Sequence, residues 1–131
     1  MCSASSLMDD DGVIAFVDFD WCAWRPRIYD LAFAILLCCA KHETPIDGGD
    51  IWSLSQAPLV QADQARAFLH AYDGQGWPLS SEETRALRPQ MILSWCHVRL
   101  AGAMKVAPEK RAEFLSRPPH DLGALFPDGI I

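Results

Sequence analysis

The 131-residue chain contains no run of lysine or arginine, and acids outnumber bases 17 to 11 for a net charge of −6. A surface that grips nucleic acid clusters basic side chains on one face, so no nucleic-acid partner is expected. Long apolar runs are missing as well: the longest, residues 31 to 40, is about half the length of a membrane span. The first twelve residues carry Asp9, Asp10 and Asp11 where an export signal has a basic start and an apolar centre. A soluble, cytoplasmic protein with no membrane partner is the expectation. Zinc-like cysteine spacing is also absent. Cys2, Cys22, Cys38, Cys39 and Cys96 make an odd set with two neighbours, for which reduced thiols are expected. No internal repeat or low-complexity segment is visible.

What is present suffices for one core. At 50% hydrophobic the chain supports one domain and is too short for two comfortable ones. Leu7-Met8, the acids 9 to 11 with Gly12, and the apolar run 13 to 17 predict a β-hairpin, with Asp-Gly supplying positive φ at the turn. The unbroken apolar run predicts a second strand covered on both faces. Asp30 opens a helix expected to reach about Ala40, apolar all round and therefore central. Residues 42 to 58 have loop chemistry, with a short helical turn at 50 to 54. Leu59, Ala62, Ala65, Phe68, Leu69 and Tyr72 predict an amphipathic helix stopped by Gly74. Ser80 or Ser81 with Glu82 and Glu83 makes a capping box for a long helix in which Pro89 marks either the start or a kink. Pro108-Glu109 starts a last short helix through Leu115. The fold class is mainly α with a small N-terminal β-hairpin.

One segment carries chemistry. The strand at 13 to 17 delivers Asp18 and Asp20 to its end, and Asp30 follows at the opening of a helix. Phosphoryl transfer needs carboxylates on a rigid element to hold Mg²⁺ between phosphate oxygens. Asp18 and Asp20 fall on one side of an extended chain if strand geometry persists. Acids also end strands as plain turn residues.

Val17-Asp18-Phe19-Asp20 followed by Arg25-Pro26-Arg27-Ile28-Tyr29-Asp30-Leu31-Ala32 strongly resembles the aminoglycoside phosphotransferase and choline kinase-like family, whose fold is that of the protein kinases. The resemblance covers roughly residues 7 to 105, with specific motifs at 13 to 32. It implies an ATP-dependent kinase that transfers the γ-phosphate to a hydroxyl of a small-molecule substrate, with Mg²⁺ and ATP as cofactors. Asp18 matches the magnesium ligand, and Asp20 is the second metal candidate. Asp30 would be structural, accepting hydrogen bonds from the catalytic-loop backbone. As an ordinary acid of a helix N-terminus it would instead contribute about 0.5–2 kcal/mol. Either role predicts burial or partial burial. Arg25 stands where the family often has Gly.

The family's His-Gly-Asp loop and its Asn align upstream of Leu7, with the Asn at about Ser5, so neither catalytic residue is present. The nucleotide-binding lobe and its Lys lie further upstream. Residues 1 to 131 are therefore expected to be a single partial domain, the C-terminal part of a truncated or split kinase, with no catalytic residue of its own. Such a chain alone should bind Mg²⁺ and ATP weakly or not at all. A missing lobe should leave apolar surface uncovered, so a homo-oligomer or the absent lobe is an expected partner. From a different class, the chain is a non-catalytic remnant acting as a binding or dimerisation module.

Other residues carry weaker signals. Asp9, Asp10 and Asp11 are expected as solvated turn charge. His70 and His97 fall on helices, and Cys96 and His97 point about 100° apart, which argues against a nucleophile–base pair. Trp21, Trp24, Trp52, Trp77 and Trp95 are expected in packing, although Trp21 and Trp24 lie near the acids and could line a substrate pocket.

Overall fold

The computed structural model describes residues 6–10, 12–16, 23–45 and 49–116. Over these residues the protein is mainly helical, with two small antiparallel two-stranded sheets. Strand β1 (Ser6–Asp9) pairs with β2 (Gly12–Phe16), setting Asp9 opposite Gly12 and Leu7 opposite Ala15, with a register shift between Leu7 and Met8. Gly12 has φ of 134°, a conformation that a residue without Cβ adopts freely. The expected hairpin is present, and Gly12 opens the second strand.

Helix α1 (Arg27–Cys38) begins directly after Pro26. Ile28, Leu31, Ala32, Ile35 and Leu36 recur at helical spacing and are buried, whereas Leu37 is 44% exposed and Cys38 is exposed. Only one face is therefore covered, which corrects the expectation of burial all round. The helix also starts earlier than Asp30, because Arg27 finds partners in the loop before a later helix.

Strand β3 (Ala40–Lys41) pairs antiparallel with β4 (Leu59–Val60). That bridge removes Leu59 from the expected helix, so α2 spans Ala62–Asp73 and closes at Gly74 as expected. Gln56 closes the intervening loop by bonding Thr44 twice. Its side-chain oxygen accepts from the Thr44 N–H at 2.6 Å, and its amide donates to the Thr44 carbonyl at 3.1 Å. Between them lies a 3-10 turn (Ile51–Ser55), whose Asp50 cap accepts from the Trp52 N–H at 2.9 Å.

Helix α3 (Ser81–Lys105) opens with the expected capping box: Ser80 Oγ accepts from the Glu83 N–H, and the Glu83 carboxylate accepts from the Ser80 N–H. It runs unbroken through Pro89, which removes one backbone donor without ending the helix. A 3-10 turn (Pro108–Lys110) leads into α4 (Arg111–Leu115), again as expected.

Two clusters form the core. The larger joins Leu31, Ile35 and Leu36 of α1 to Leu69 of α2 and to Leu87, Met91 and Trp95 of α3. Each fully buried aliphatic side chain stabilises the fold by roughly 1.5–3 kcal/mol. The smaller cluster joins Ala103 and Val106 to Phe114, with Ile51 and Trp52 against it. Trp52 and Phe114 meet edge to face at 5.3 Å. Arg99 of α3 lies at the junction, 4% exposed, donating to the Ser55 carbonyl at 2.8 Å and to the Phe114 carbonyl at 2.8 Å. Its guanidinium also lies 5.2 Å from the Trp95 ring.

Candidate functional site

The hairpin β1–β2 and helix α1 flank the acidic segment. Asp18, Asp20 and Trp21 themselves lie outside the described residues. Of the residues that follow, Trp24 is fully exposed, and the Arg25 guanidinium stacks 4.3 Å from the Tyr29 ring. Asp30 is exposed in the first turn of α1. That corrects the expected burial: Asp30 sits about 200° around the helix from buried Ile28, so it points away from the core. Trp77 is likewise exposed at 72%, and with Trp24 it departs from the expectation that the tryptophans pack inside. Trp52 and Trp95 do pack inside.

A polar clamp holds the start of α1. Arg27 Nε donates to Glu83 Oε1 at 2.7 Å and Nη2 to Glu83 Oε2 at 2.8 Å, while Nη1 and Nη2 donate to the Trp77 and Pro78 carbonyls at 2.9 Å each. The guanidinium beside Glu83 holds its carboxyl down to about 2, helped by the Ser80 N–H, and Glu83 in turn raises the Arg27 pKa. Both charges are matched, so the clamp orients α1 against α3 and has no proton to offer at neutral pH. Asp73 adds to this corner by accepting from the Leu79 N–H at 3.1 Å.

Among the described residues, no group of three His, Cys, Asp or Glu side chains could hold a metal. Asp10 is exposed, in keeping with solvated turn charge, and Asp11 lies outside the described residues. His70 and His97 are exposed on their helices as expected, His97 with its ring edge against Phe33 at 6.2 Å. His42 has no sequence signal of its own. It follows β3, and its two ring nitrogens are buried with no hydrogen-bond partner among the described residues. Burial pushes its pKa down, and the Leu36 backbone pulls the other way without reaching hydrogen-bond geometry.

The cysteines do not match the all-reduced expectation. Cys39 and Cys96 are free thiols, but Cys38 is disulfide-bonded. Neighbouring positions on a helix point about 100° apart, which sends Cys39 into the core and Cys38 outward. Burial raises the Cys39 thiol pKa. No helix among the described residues is long and apolar enough to cross a membrane.

Sequence reasoning missed Arg27 and Arg99, and each had a signal. A base in the first turn of a helix is disfavoured by the macrodipole, so Arg27 needed an acid from elsewhere. Arg99 interrupts the apolar face formed by Trp95, Gly102 and Ala103, where a charge must find acceptors. In comparisons with known proteins, no family model, no curated protein and no solved structure matches this chain.

Proposed function

We propose that the chain is the C-terminal part of an ATP-dependent small-molecule kinase similar to the aminoglycoside phosphotransferases and choline kinases, with the kinase-like subdomain fold that this entails. The observation that carries the reading is the order hairpin, acidic segment, apolar helix: β2 leads into Val17-Asp18-Phe19-Asp20, and α1 follows within Arg25 to Ala32. Asp18, with Asp20 as second candidate, supplies hard oxygen ligands of the kind Mg²⁺ takes. The ion normally keeps several waters and leans on nucleotide phosphates, so two carboxylates fit it in part and bind it weakly alone. Bound Mg²⁺ and ATP would supply the phosphoryl group and neutralise its charge. The protein's part would be to present those carboxylates in the segment between β2 and α1.

The test is the coding sequence 5′ of the Met1 codon, read in three frames. A His-Gly-Asp-like loop followed by an Asn, preceded by a nucleotide-binding lobe, is expected there. Unrelated or non-coding sequence would overturn the reading. Chain 1–131 alone should transfer no phosphate from ATP, since positioning by the base, the Asn and the Lys provides most of the catalysis in this chemistry.

A second reading, a non-catalytic binding or dimerisation module, is favoured by the exposed apolar side chains of α3, Leu93, Leu100 and Met104. Activity that disappears in Asp18→Ala would exclude it.

A further inference from the structure

His42 stands immediately after β3, and both of its ring nitrogens are buried without a hydrogen-bond partner among the described residues. A neutral imidazole brings one donor and one acceptor, and an imidazolium brings two donors. The position therefore satisfies neither form and suits the charged one least. No charged side chain compensates among the described residues. From the last two turns of α1 the ionisable groups are Cys38, held in a disulfide, and Cys39, a thiol that burial keeps neutral. Strand β4 offers none, Lys41 and Glu43 on either side of His42 are exposed, and Asp50 is engaged in capping the 3-10 turn through the Trp52 N–H. Only the Leu36 backbone acts in favour of the charged ring, against the larger effect of burial.

The structure that holds His42 in place is slight. Strands β3 and β4 pair over two residues each, Ala40 with Val60 and Lys41 with Leu59. The Gln61 N–H donates to the Cys39 carbonyl at 2.8 Å, and the Gln56 side chain clips Thr44 by its two bonds. Of the four strand residues only Val60 is buried. The helices, by contrast, meet through Leu31, Ile35, Leu36, Leu69, Leu87, Met91 and Trp95. We propose that the bridge is an acid-released latch: protonation of His42 parts β3 from β4 and undoes the Thr44–Gln56 clip, while α1, α2 and α3 stay packed. Parting the bridge breaks a few hydrogen bonds and unseats one buried side chain, so it is the least costly local opening that gives the ring water. In the closed form the ring is held neutral, and in the open form it takes a proton as readily as any solvated histidine. The closed form is therefore favoured above pH 6.5 and loses ground as pH falls below it. The latch holds whether or not Asp18 binds metal.

Amide hydrogen exchange of chain 1–131, followed residue by residue by NMR from about pH 7.5 to about 4.5 and expressed relative to the intrinsic rate at each pH, is the test. One proton is linked to the opening, so protection of the Thr44 and Gln61 amides should fall by up to about tenfold per pH unit below 6.5. The Leu87 and Met91 amides of α3 should remain protected where those two have lost protection. The His42 ring resonances should titrate over the same pH range as that loss. His42→Phe should keep Thr44 and Gln61 protected throughout, whereas His70→Gln and His97→Gln, at exposed positions, should leave the response in place. The comparison of bridge and α3 amides within the unmodified chain decides the matter even where His42→Phe does not fold. Protection at Thr44 and Gln61 that is level with pH, that rises in acid as the ring caps the Leu36 carbonyl, or that disappears together with that of α3 overturns the proposal. A pH response that survives in His42→Phe, or that vanishes in His70→Gln or His97→Gln, does so as well.

Discussion

Arg27 and Glu83, 56 residues apart in sequence, meet as a two-pronged ion pair with N···O distances of 2.7 and 2.8 Å. Glu83 does two jobs with one carboxylate. It completes the capping box that starts α3, and it receives the guanidinium that starts α1. The beginnings of two helices are thereby fixed to each other, and further along their apolar faces meet in the core.

Acid should undo this clamp. The Glu83 carboxyl sits at about 2, below its ordinary value of 4.5. Its contribution is therefore fully present above pH 4.5 and is lost as pH falls from 4.5 towards 2. Urea midpoints measured across that window should decline less steeply in Glu83→Gln than in the parent chain. Identical pH slopes in the two would show that the pair does not couple to folding.

Arg99 ties three elements through two carbonyls, those of Ser55 and Phe114. Arg99→Met keeps the apolar contact with Trp95 but leaves both acceptors without that donor. A loss of about 3 kcal/mol is expected, from charged hydrogen bonds removed and buried carbonyls exposed to no partner. Arg99→Lys should recover only part, since an ammonium lacks the planar fork that spans the two oxygens. Equilibrium denaturation checks both values, and a loss near zero for Arg99→Met would contradict the role assigned.

His42 sets a second pH dependence, of a different origin. Burial pushes its pKa below the ordinary 6.5, so protonation opposes the fold. Stability should be complete above pH 6.5 and decline as pH falls from 6.5 through the lowered folded value. His42→Phe should flatten the denaturation midpoint between pH 7.5 and about 5. An unchanged slope would mean that the ring gains a proton without cost.

Pro89 lies inside an unbroken helix, where it denies the Arg85 carbonyl its backbone donor. Pro89→Ala should restore that bond and stabilise the protein by about 1–3 kcal/mol. Since Pro89 is exposed, no packing is lost. A lowered melting temperature would show that α3 needs the altered geometry at this point.

The elements with local signals were legible in the chain. Ser80 with Glu83, Gly74, Pro108 and the Gly12 hairpin each act through neighbours within about four residues, and each stands where its chemistry requires. The β3–β4 bridge was not legible. Ala40–Lys41 and Leu59–Val60 are two residues each, too short for a periodic pattern, and they pair across a loop. The one-sided burial of α1 was hidden for a related reason: its sequence is apolar on every face, and only the placement of α2 and α3 decides which face is covered. Trp24 and Asp30 followed the same rule, since their exposure depends on what lies opposite. Cys38 was misjudged because a disulfide depends on spatial approach, which spacing does not encode.

We propose Asp18 as a metal ligand, and paramagnetic broadening of amide resonances by Mn²⁺ tests that role most directly. In chain 1–131 the resonances of residues 17 to 20 should broaden first, at metal concentrations that mark weak binding, and more strongly when ATP supplies phosphate oxygens. Asp18→Ala should abolish that effect, and Asp20→Ala should reduce it. Broadening centred on Asp9 to Asp11, or a response unchanged by Asp18→Ala, would contradict the account.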